Sequence, residues 1–371
     1  MTLLSEYHRL ERLQLPQGAI CTKPGVRGYP GPPPQERVFR RALAGVGGPL
    51  VDCTGSAGAV GLLAATNPGV EIAESSMAAL LCAREAVGPV AGVRAALPWD
   101  LGGGSADLIA LAPPADRGNA RVLAEMLAAR DALRPGGTLY LALHKDQGAK
   151  RFEKRLGELF GHAEVVERDR GWRLSVAREP LEGDSSDPWL EFEAAGLPLR
   201  ARPGVHAAGR LDPGTGVLAA VIPWSDLAGR RVLDLGCGYG VLALLAARRG
   251  AAVTAVDDDL AALQSVRRNA ADLGLELDSR HSDIDSEIRV ESFDVILCNP
   301  PFHVGRGVRL DVPRAFIAAA GRLLEPGGEL WLVANRDLPY EREIAAWSEP
   351  ETVVAERGFK VLRAKRPPTR R

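Results

Sequence analysis

Short apolar runs alternate with longer amphipathic segments in the second half of the chain. The runs VLDL (232–235), AVTAV (252–256) and DVILC (294–298) have the length and composition of buried strands. Residues 241–249 and 260–273, which follow the first two runs, repeat apolar positions at helical spacing. Strands that alternate with helices predict βαβ units, and hence an α/β fold with a mainly parallel, doubly wound sheet.

The remaining pattern predicts how this sheet is completed. Residues 314–324 predict a helix, the PGG segment (326–328) a turn and residues 329–334 a strand. Apolar residues at 352–354 and 359–364, in the charged end of the chain, predict a closing antiparallel hairpin. Ligands of such sheets bind at the carboxyl ends of the strands, which is where the polar motifs of this chain fall.

The first half of the chain repeats the second. PLVDCTGSAGAVGLLAA (49–65) matches RVLDLGCGYGVLALLAA (231–247), and DLIALAPPAD (107–116) matches DVILCNPPFH (294–303). Two further matches lie in the same order, 72–85 with 255–268 and 133–143 with 324–334, so that four segments recur at separations of 182 to 191 residues. This repetition predicts two tandem Rossmann-like domains. We expect the domains at 1–180 and 200–371, joined by a polar linker at 181–199.

Composition excludes several classes of protein. The 371 residues are 46% apolar and 25% charged, with a formal net charge of −1, which argues against a disordered chain or a collagen. No apolar run approaches the length of about 18 to 20 residues that a bilayer span needs. The five cysteines are dispersed without a CxxC pair, so we expect reduced thiols in a cytoplasmic protein that has no structural metal and no membrane partner.

A glycine motif follows the first predicted strand of the second copy. In the segment from Asp234 to Gly240, three glycines alternate with other residues, which allows a tight turn and a close approach of the backbone to a ligand. The segment is not the dinucleotide fingerprint G-x-G-x-x-G, because Val241 stands at the position of the last glycine. The motif therefore disfavours an enzyme that transfers hydride.

Two aspartates follow the next strands. Asp257 ends the second predicted strand, where a carboxylate can accept hydrogen bonds from both ribose hydroxyls of an adenosine-like ligand. Asp283 follows the third strand and could accept a hydrogen bond from an adenine amino group, although a plain surface aspartate is an alternative interpretation. The neighbours Asp258 and Asp259 have the simpler interpretation of helix capping.

The segment Asn299-Pro300-Pro301-Phe302 carries the sharpest chemical signal. The two prolines fix the backbone and leave the Pro300 carbonyl available to the site. The Asn299 side-chain oxygen and that carbonyl can together accept both hydrogens of an exocyclic amino group, which orients the nitrogen lone pair toward an electrophile. Phe302 offers a ring on which a planar group can stack. We therefore expect Asn299, Pro300 and Phe302 to be the catalytic residues.

These motifs together resemble class I S-adenosylmethionine-dependent methyltransferases that act on amino or amide nitrogen. The carboxy-terminal half resembles more closely the RsmC family of 16S ribosomal RNA guanine-N2 methyltransferases, through the segments GVHAAGRLDPGT (204–215), VLDLGCGYG (232–240), CNPPFHVG (298–305) and VANRDLPYE (333–341). The resemblance implies methyl transfer from S-adenosylmethionine to N2 of a guanine in the small ribosomal subunit, guanine 1207 in the family. We expect a monomer with 16S rRNA as its partner.

The resemblance also implies a role for each matching residue. It places the glycine motif, Asp234 with Gly236, Gly238 and Gly240, at the cofactor. Asp257 would bind the ribose of the cofactor and Asp283 its adenine. Asp212 or Thr215 would lie at the upstream rim of the cofactor, and Asn299 beside its reacting end. The chain departs from the family at His206, where an aromatic residue is expected.

The first copy has lost these chemical groups. Thr54 and Ser56 replace two of the three glycines, and Ala112-Pro113-Pro114-Ala115 lacks both the asparagine and the phenylalanine. Glu74 still aligns with Asp257, so residual nucleotide binding stays open. The basic segment from Lys145 to Arg155 indicates an RNA-binding or structural module instead.

Three other functions stay open at this point. An enzyme that methylates guanine N2 in the large subunit has a similar layout. A protein glutamine N-methyltransferase is possible, because an Asn-Pro-Pro-aromatic turn also suits a carboxamide. A non-catalytic RNA-binding assembly factor is the third alternative, and the intact Asn299 and Phe302 argue against it.

Overall fold

The structure of the protein, a computed structural model, describes residues 2–64, 69–88, 92–183, 187–288, 292–301, 303–304, 307–308 and 310–368. The chain forms two compact units. The amino-terminal unit consists of Leu10–Pro188, and the carboxy-terminal unit consists of Trp189–Arg371 together with Met1–Arg9. The division expected from sequence placed residues 1–9 in the first domain. In the structure they pack on the carboxy-terminal unit, because helix α1 (Leu3–His8) places the buried Tyr7 in that unit's core.

The amino-terminal unit begins with a β-hairpin and continues as a seven-stranded sheet with four helices among its described residues. Its elements are β1 (Glu11–Leu15), β2 (Gly18–Thr22), α2 (Glu36–Ala42), β3 (Leu50–Cys53), β4 (Glu71–Glu74), α3 (Met77–Val87), β5 (Gly92–Ala95), β6 (Ala106–Leu111), α4 (Asn119–Ala132), β7 (Leu133–His144), α5 (Ala149–Leu159), β8 (Phe160–Asp169) and β9 (Trp172–Pro180).

The carboxy-terminal unit repeats this plan. Its elements after α1 are β10 (Leu190–Ala194), β11 (Leu197–Ala201), α6 (Pro213–Val221), β12 (Arg231–Leu235), α7 (Val241–Arg248), β13 (Ala252–Asp257), α8 (Leu260–Asp272), β14 (Asp278–His281), β15 (Phe293–Cys298), β16 (His303–Val304), β17 (Gly307–Val308), α9 (Asp311–Leu323), β18 (Leu324–Asn335), α10 (Tyr340–Ile344), β19 (Pro350–Glu356) and β20 (Phe359–Lys365). The first of these, the hairpin of β10 and β11, lies in the segment that the sequence predicted as a linker.

Both sheets have the same strand order. It is β5-β4-β3-β6-β7-β9-β8 in the amino-terminal unit and β14-β13-β12-β15-β18-β20-β19 in the carboxy-terminal unit. The first five strands of each sheet pair in parallel, and the last two close it with an antiparallel hairpin. The α/β fold with tandem Rossmann-like sheets and a closing hairpin is therefore confirmed. From β12 the chain adds β13 and β14 on one side and then returns to add β15 on the other side of β12. The strand order therefore reverses between β12 and β15, which is where such sheets form a ligand crevice.

The PGG segment (326–328) is not the turn that the sequence predicts. It lies inside the single long strand β18, where the pairing with β15 jumps from Phe293–Leu324 to Val295–Glu329. Gly327 has a φ of 84°, a left-handed conformation that glycine adopts without steric cost. The segment is therefore an irregular stretch that bends one strand rather than separating a helix from a strand.

Successive apolar residues along the central strands point to opposite faces and form a core on each face of the amino-terminal sheet. Ile109 and Leu111 of β6 pack into one cluster with α4, and Ala110 packs into another with α2. Side chains of successive strand residues point to opposite faces, so a strand buried on both faces is apolar throughout. Among the described residues, no helix is both long enough and apolar enough to cross a membrane.

Candidate active site

The polar residues singled out from the sequence meet at one edge of the carboxy-terminal sheet. The loops that follow β12, β13 and β15 all leave the sheet at the carboxyl ends of these parallel strands. Backbone N–H groups of Gly236 and Cys237 donate to the carbonyl of Val256, which ties the first loop to the end of β13. The edge therefore has a fixed backbone on which the side chains are arranged.

Two positions of the first loop require glycine for different structural reasons. A side chain at Gly240, which has a φ of 92°, would collide with Val266 on α8, so glycine allows helices α7 and α8 to approach. A side chain at Gly238 would meet no atom within 4 Å. Packing therefore does not explain Gly238, although its left-handed φ of 56° favours glycine, and the open backbone surface leaves room for a ligand on this loop.

Asp234 is buried behind the loop. Its Oδ2 accepts a hydrogen bond of 2.9 Å from the backbone N–H of Ala243 in the first turn of α7. Burial, with a further contribution from the charge of Asp257, raises the pKa of Asp234 to about 7. Its carboxyl group anchors the start of the helix, a supporting position, whereas the sequence placed this residue at the cofactor itself.

Asp257 faces the loop from the end of β13. One carboxylate oxygen accepts from the N–H of Gly238 at 2.9 Å, and the other accepts from the N–H of Asp259 at 2.9 Å. A carboxylate at the end of this strand is the kind of group that accepts hydrogen bonds from a diol. Asp259 caps helix α8 through the N–H of Ala261, as the simpler interpretation of this residue predicted.

The side chain of Asn299 is held by residues from the start of α6. Its Nδ2 donates to Asp212 Oδ2 at 3.0 Å and to Thr215 Oγ1 at 2.9 Å. Thr215 in turn donates to the same Asp212 oxygen through its backbone N–H at 2.8 Å. The sequence placed Asp212 and Thr215 at the rim of the cofactor, whereas these contacts bring them to Asn299. That partnership has no local signal, because Asn299 follows Asp212 by 87 residues.

The charge of Asp212 fixes which way the Asn299 amide points. Although burial acts to raise it, the pKa of Asp212 falls to about 2, because His206 and the backbone N–H of Thr215 donate to its carboxylate. An ionised carboxylate only accepts hydrogen bonds, so the amide nitrogen must face it. No described residue donates to Asn299 Oδ1, which is therefore available as an acceptor. His206, the departure from the family pattern, contributes a bond of 3.2 Å to Asp212 Oδ1.

The rest of the diproline segment is described only in part. Pro300 is buried and Pro301 is exposed, and no described donor bonds to the Pro300 carbonyl. Phe302, the expected stacking ring, lies outside the described residues. Pairing of β16 with β17 forms a short hairpin in the segment that follows.

Asp283 is buried beside the carboxyl ends of β13 and β14. Its Oδ1 accepts a hydrogen bond of 2.8 Å from the hydroxyl of Tyr7, and its backbone N–H donates to Ser286 Oγ at 3.1 Å. Only 1% of Asp283 is exposed, which contradicts the alternative of a plain surface aspartate. Sequence reasoning missed Tyr7, since nothing in the local pattern connects positions 276 residues apart.

The corresponding edge of the amino-terminal unit is filled by its own side chains. The carboxylate of Asp52 is bonded by Thr54, whose hydroxyl donates to it at 2.6 Å, and by the backbone N–H of Gly61 at 2.7 Å. The partly buried Arg27 donates to the carbonyl of Ala112, the counterpart of Asn299, at 3.0 Å. Ser56, the counterpart of Gly238, is wholly buried, whereas the loop at Gly238 is open.

Glu74, the counterpart of Asp257, is enclosed in this filled edge. Its two carboxyl oxygens are buried and have no hydrogen-bond partner in the described part of the chain, although the N–H groups of Ala57 and Gly58 lie near enough to act on its charge. Burial and the nearby Asp52 raise the pKa of Glu74 to about 8. The edge therefore holds Glu74 as a neutral acid around neutral pH. Among the described residues, no cluster of histidine, cysteine or acidic side chains is arranged to hold a metal ion.

Comparison with known proteins agrees with this geometry. The family model of the methyltransferase small domain matches residues 18–175 and 196–363, so it matches the chain twice. The ribosomal RNA small subunit methyltransferase C of Chromohalobacter salexigens is 38% identical over 243 residues, which are 64% of this chain and 73% of the relative. The protein of the same name from Hahella chejuensis is 38% identical over 245 residues, 63% of this chain and 71% of the relative.

A solved structure matches the whole chain. It is the 16S rRNA N2 G1207 methyltransferase (RsmC) of T. thermophilus in complex with AdoMet and guanosine, with a TM-score of 0.87 and 36% identity. The match covers 98% of this chain and 99% of that chain, so both units are included.

Proposed function

The chain belongs to the family of ribosomal RNA small subunit methyltransferase C, and from this premise we propose that it transfers a methyl group from S-adenosylmethionine to the exocyclic N2 of a guanine in 16S rRNA. The proposed nucleotide is the one that corresponds to G1207, on which the solved T. thermophilus relative acts. The observation that carries the proposal is the anchored Asn299 amide, whose oxygen is free to accept a hydrogen bond from an amino group.

The carboxy-terminal unit fits S-adenosylmethionine as its cofactor. The backbone at Gly238 leaves space for a ligand, and the Asp257 carboxylate lies beside this loop, where a carboxylate suits the two ribose hydroxyls. Asp283 suits the amino group of the adenine ring. When bound, the cofactor supplies a methyl group activated by a positively charged sulfur.

Asn299 and Pro300 prepare the nitrogen for this methyl group. The lone pair of a guanine amino group is delocalised into the ring, which makes the nitrogen a poor nucleophile. Two acceptors, Asn299 Oδ1 and the Pro300 carbonyl, hold both N–H bonds and so direct the lone pair out of the plane of the ring. Rotation of the Asn299 amide would present hydrogens instead of an acceptor, and the bonds to Asp212 and Thr215 oppose it.

Positioning and electrostatics supply most of the acceleration in this mechanism. The nitrogen becomes a strongly acidic cation once it is methylated, so it can lose its proton to water. No general base with a tuned pKa is then required. Asp234, whose pKa is near 7, is bonded to Ala243 behind the loop and is not a candidate for proton transfer.

We propose that the amino-terminal unit binds the backbone of the RNA. Lys150 and Lys154 are exposed on α5, one turn apart. The acidic residues of this helix are already paired, Glu153 with Arg173 and Glu158 with Arg155. The lysine charges are therefore not neutralised within the helix, which favours contact with phosphate. RNA contacts of this kind would offset the few kcal/mol that removal of a guanine from its stack requires.

The functional unit that we propose is one chain in the cytoplasm. Every residue assigned to the site comes from the carboxy-terminal unit, so the proposed mechanism calls on no residue of a second copy. A substrate in the ribosomal RNA of the small subunit supports this location.

Labelled S-adenosylmethionine tests the proposal directly. The protein is incubated separately with small ribosomal subunits, large subunits and a release factor that contains a methylatable glutamine. We expect label in 16S rRNA from the small subunit, recovered as N2-methylguanosine after digestion. Label in large-subunit RNA or in protein would contradict this proposal and show that the protein is a methyltransferase with a different substrate. Cofactor binding without transfer to any substrate would indicate a non-catalytic RNA-binding protein.

A further inference from the structure

The loop that connects β11 with α6 (202–212) contacts the site at two points. The hydroxyl of Tyr239, in the glycine motif, donates to the carbonyl of Arg210 at 3.0 Å. Burial, with a further contribution from the charge of Asp212, raises the pKa of Tyr239 to about 12, so this hydroxyl keeps its proton and stays a donor. The second point is the bond of 3.2 Å between His206 Nε2 and Asp212 Oδ1. The loop is therefore fixed to the glycine motif and to the carboxylate that anchors the catalytic amide.

Hydrogen bonds within the loop give it a defined backbone. The N–H of Ala208 donates to the carbonyl of Val205 at 3.0 Å, and the N–H of Arg210 donates to the carbonyl of Ala207 at 3.0 Å. Ala207 has a φ of 53°, a left-handed conformation that a residue with a side chain adopts at a cost. The contacts of the loop maintain this shape, so its side chains are presented from an ordered backbone.

Two side chains of the loop extend into solvent. The side chain of His206 is 74% exposed, although its Nε2 is bonded to Asp212. Arg210 is also exposed, and its guanidinium makes no hydrogen bond or ion pair with any residue that the structure describes. Arg314, an exposed arginine of the same unit, is instead paired with Glu343 at 2.9 Å. The charge of Arg210 is therefore available to a partner from outside the chain.

The electrostatics of the site favour a positive charge at this position. Asp212 is ionised when it holds the Asn299 amide, and its side chain is 18% exposed. The proposed substrate is a polyanion, so an approaching phosphate would be repelled by this carboxylate. His206 covers one oxygen of the carboxylate, and Arg210, two residues earlier in the chain, supplies the opposite charge. A guanidinium can bind two oxygens of one phosphate at once.

We propose that Arg210 binds a backbone phosphate of the RNA strand next to the target guanine, and that His206 covers Asp212 on the side that faces this phosphate. The inference rests on the proposed function and adds to the site a contact that orients the substrate strand. Unlike the contact proposed for α5, this contact lies beside the group that presents the amino nitrogen.

The variant Arg210→Gln removes the charge and keeps a polar side chain. Rates of methyl transfer by the full chain to small ribosomal subunits give KM and kcat, and fluorescence anisotropy gives the affinity for the subunits over a range of salt concentrations. We expect KM to rise by about tenfold, the scale of one hydrogen bond to a charged group, while kcat changes by less than about twofold. The negative slope of the logarithm of the association constant against log salt should become shallower by about 0.8.

Arg249→Gln is the matched control for the loss of charge. Arg249 is also exposed and has no ion pair among the described residues, but it lies at the end of α7 that leads to the amino end of β13. We expect it to leave KM and the salt slope unchanged. Arg210→Lys keeps the charge, so its KM should stay within about threefold of that of the unsubstituted protein.

Two variants test the role of His206. His206→Ala uncovers the carboxylate of Asp212 and should raise KM for small subunits by about threefold, the scale of an interaction between surface charges. His206→Gln keeps an N–H within reach of the same oxygen and should restore the KM of the unsubstituted protein.

An unchanged KM and salt slope in Arg210→Gln would overturn the inference while the proposed function stands. An equal loss in Arg249→Gln would also overturn it, as an effect of net charge alone, and so would an equal loss in Arg210→Lys, which would indicate that the guanidinium stacks on a base. Equal KM values for His206→Gln and His206→Ala would overturn the role of His206. If the unsubstituted protein leaves small subunits unmethylated, the proposed function fails and this inference fails with it.

Discussion

At the scale of single residues, the site depends on which atoms of a side chain are already engaged. Asn299 has two amide hydrogens and both are taken, by Asp212 and Thr215, so only its oxygen faces the site. The sequence predicts that Asn299 is an acceptor but gives no account of what fixes its amide. Asp212 and Thr215 are in the LDPGT segment (211–215), far along the chain, and only folding reveals the contact.

The variant Thr215→Val tests this arrangement. Valine keeps the shape of the buried threonine but removes the hydroxyl that accepts from Asn299. We expect kcat for transfer to small subunits to fall by about ten- to a hundredfold, because misplacement of a reacting group costs rate, while the affinity for S-adenosylhomocysteine changes by less than about threefold. Single-turnover kinetics and calorimetric titration measure the two quantities.

Thr22→Val is the matched control for that variant. Thr22 is also buried, in the amino-terminal unit, and its hydroxyl has no hydrogen-bond partner among the residues that the structure describes. It should leave kcat unchanged. A Thr215→Val enzyme that transfers methyl groups at the normal rate would show that the Asn299 amide needs no such anchor.

Glu74 gives a pH-dependent prediction for the filled edge of the amino-terminal unit. Its pKa is about 8 in the folded protein and near the ordinary value of 4.5 in the unfolded chain. Between these values the folded state holds a proton that the unfolded state has lost, so this residue makes stability fall as pH rises. Glu74→Gln removes that dependence.

The melting temperature of Glu74→Gln relative to the unsubstituted protein should therefore rise between pH 5 and pH 8 and then level off. Scanning calorimetry at several pH values measures it. Glu71→Gln, on the same strand but only partly buried, is the control for the loss of a carboxylate from this strand. A difference for Glu74→Gln that stays constant with pH would contradict the buried, neutral acid.

At the scale of elements, the sequence predicts the strands and helices well where the pattern is local. Strands β12, β13 and β15 and helices α7 and α8 lie within a residue or two of their predicted positions, because each has its own apolar period. The prediction of a turn at the PGG segment is wrong, because glycine and proline also occur where a strand bends. The placement of α1 could not be predicted, because its partners lie on α9 and near Asp283.

Helix α5 gives the prediction that belongs to this scale. Replacement of both Lys150 and Lys154 by alanine should weaken binding to small subunits by about tenfold. The negative slope of the logarithm of the association constant against log salt should become shallower by about 1.5, as expected when two phosphate contacts are lost. Fluorescence anisotropy over a range of salt concentrations measures both.

Arg155→Ala is the control on the same helix, because Arg155 is already paired with Glu158 at 2.6 Å. Its effect on binding and on the salt slope should be smaller. An unchanged salt slope in the double lysine variant would place the RNA contacts elsewhere.

At the scale of the whole molecule, one fold has been used twice with different outcomes. Both sheets share one strand order, yet only the carboxy-terminal edge combines an open glycine loop with an unengaged amide oxygen. The sequence predicts this difference from the substitutions at Thr54, Ser56 and Ala112. It does not predict that Arg27 contacts the amino-terminal edge, because an arginine outside the four matched segments carries no local signal of its contacts.

Asn299→Ala tests the central claim that this amide presents the guanine nitrogen to the methyl donor. Small subunits are incubated with labelled S-adenosylmethionine and either protein, and digested 16S rRNA is analysed for N2-methylguanosine while S-adenosylhomocysteine affinity is measured in parallel. We predict N2-methylguanosine with the unsubstituted protein and none with Asn299→Ala, at a cofactor affinity within a few-fold. Normal amounts of N2-methylguanosine from Asn299→Ala, or a methyl group at another atom of the base, would contradict the account.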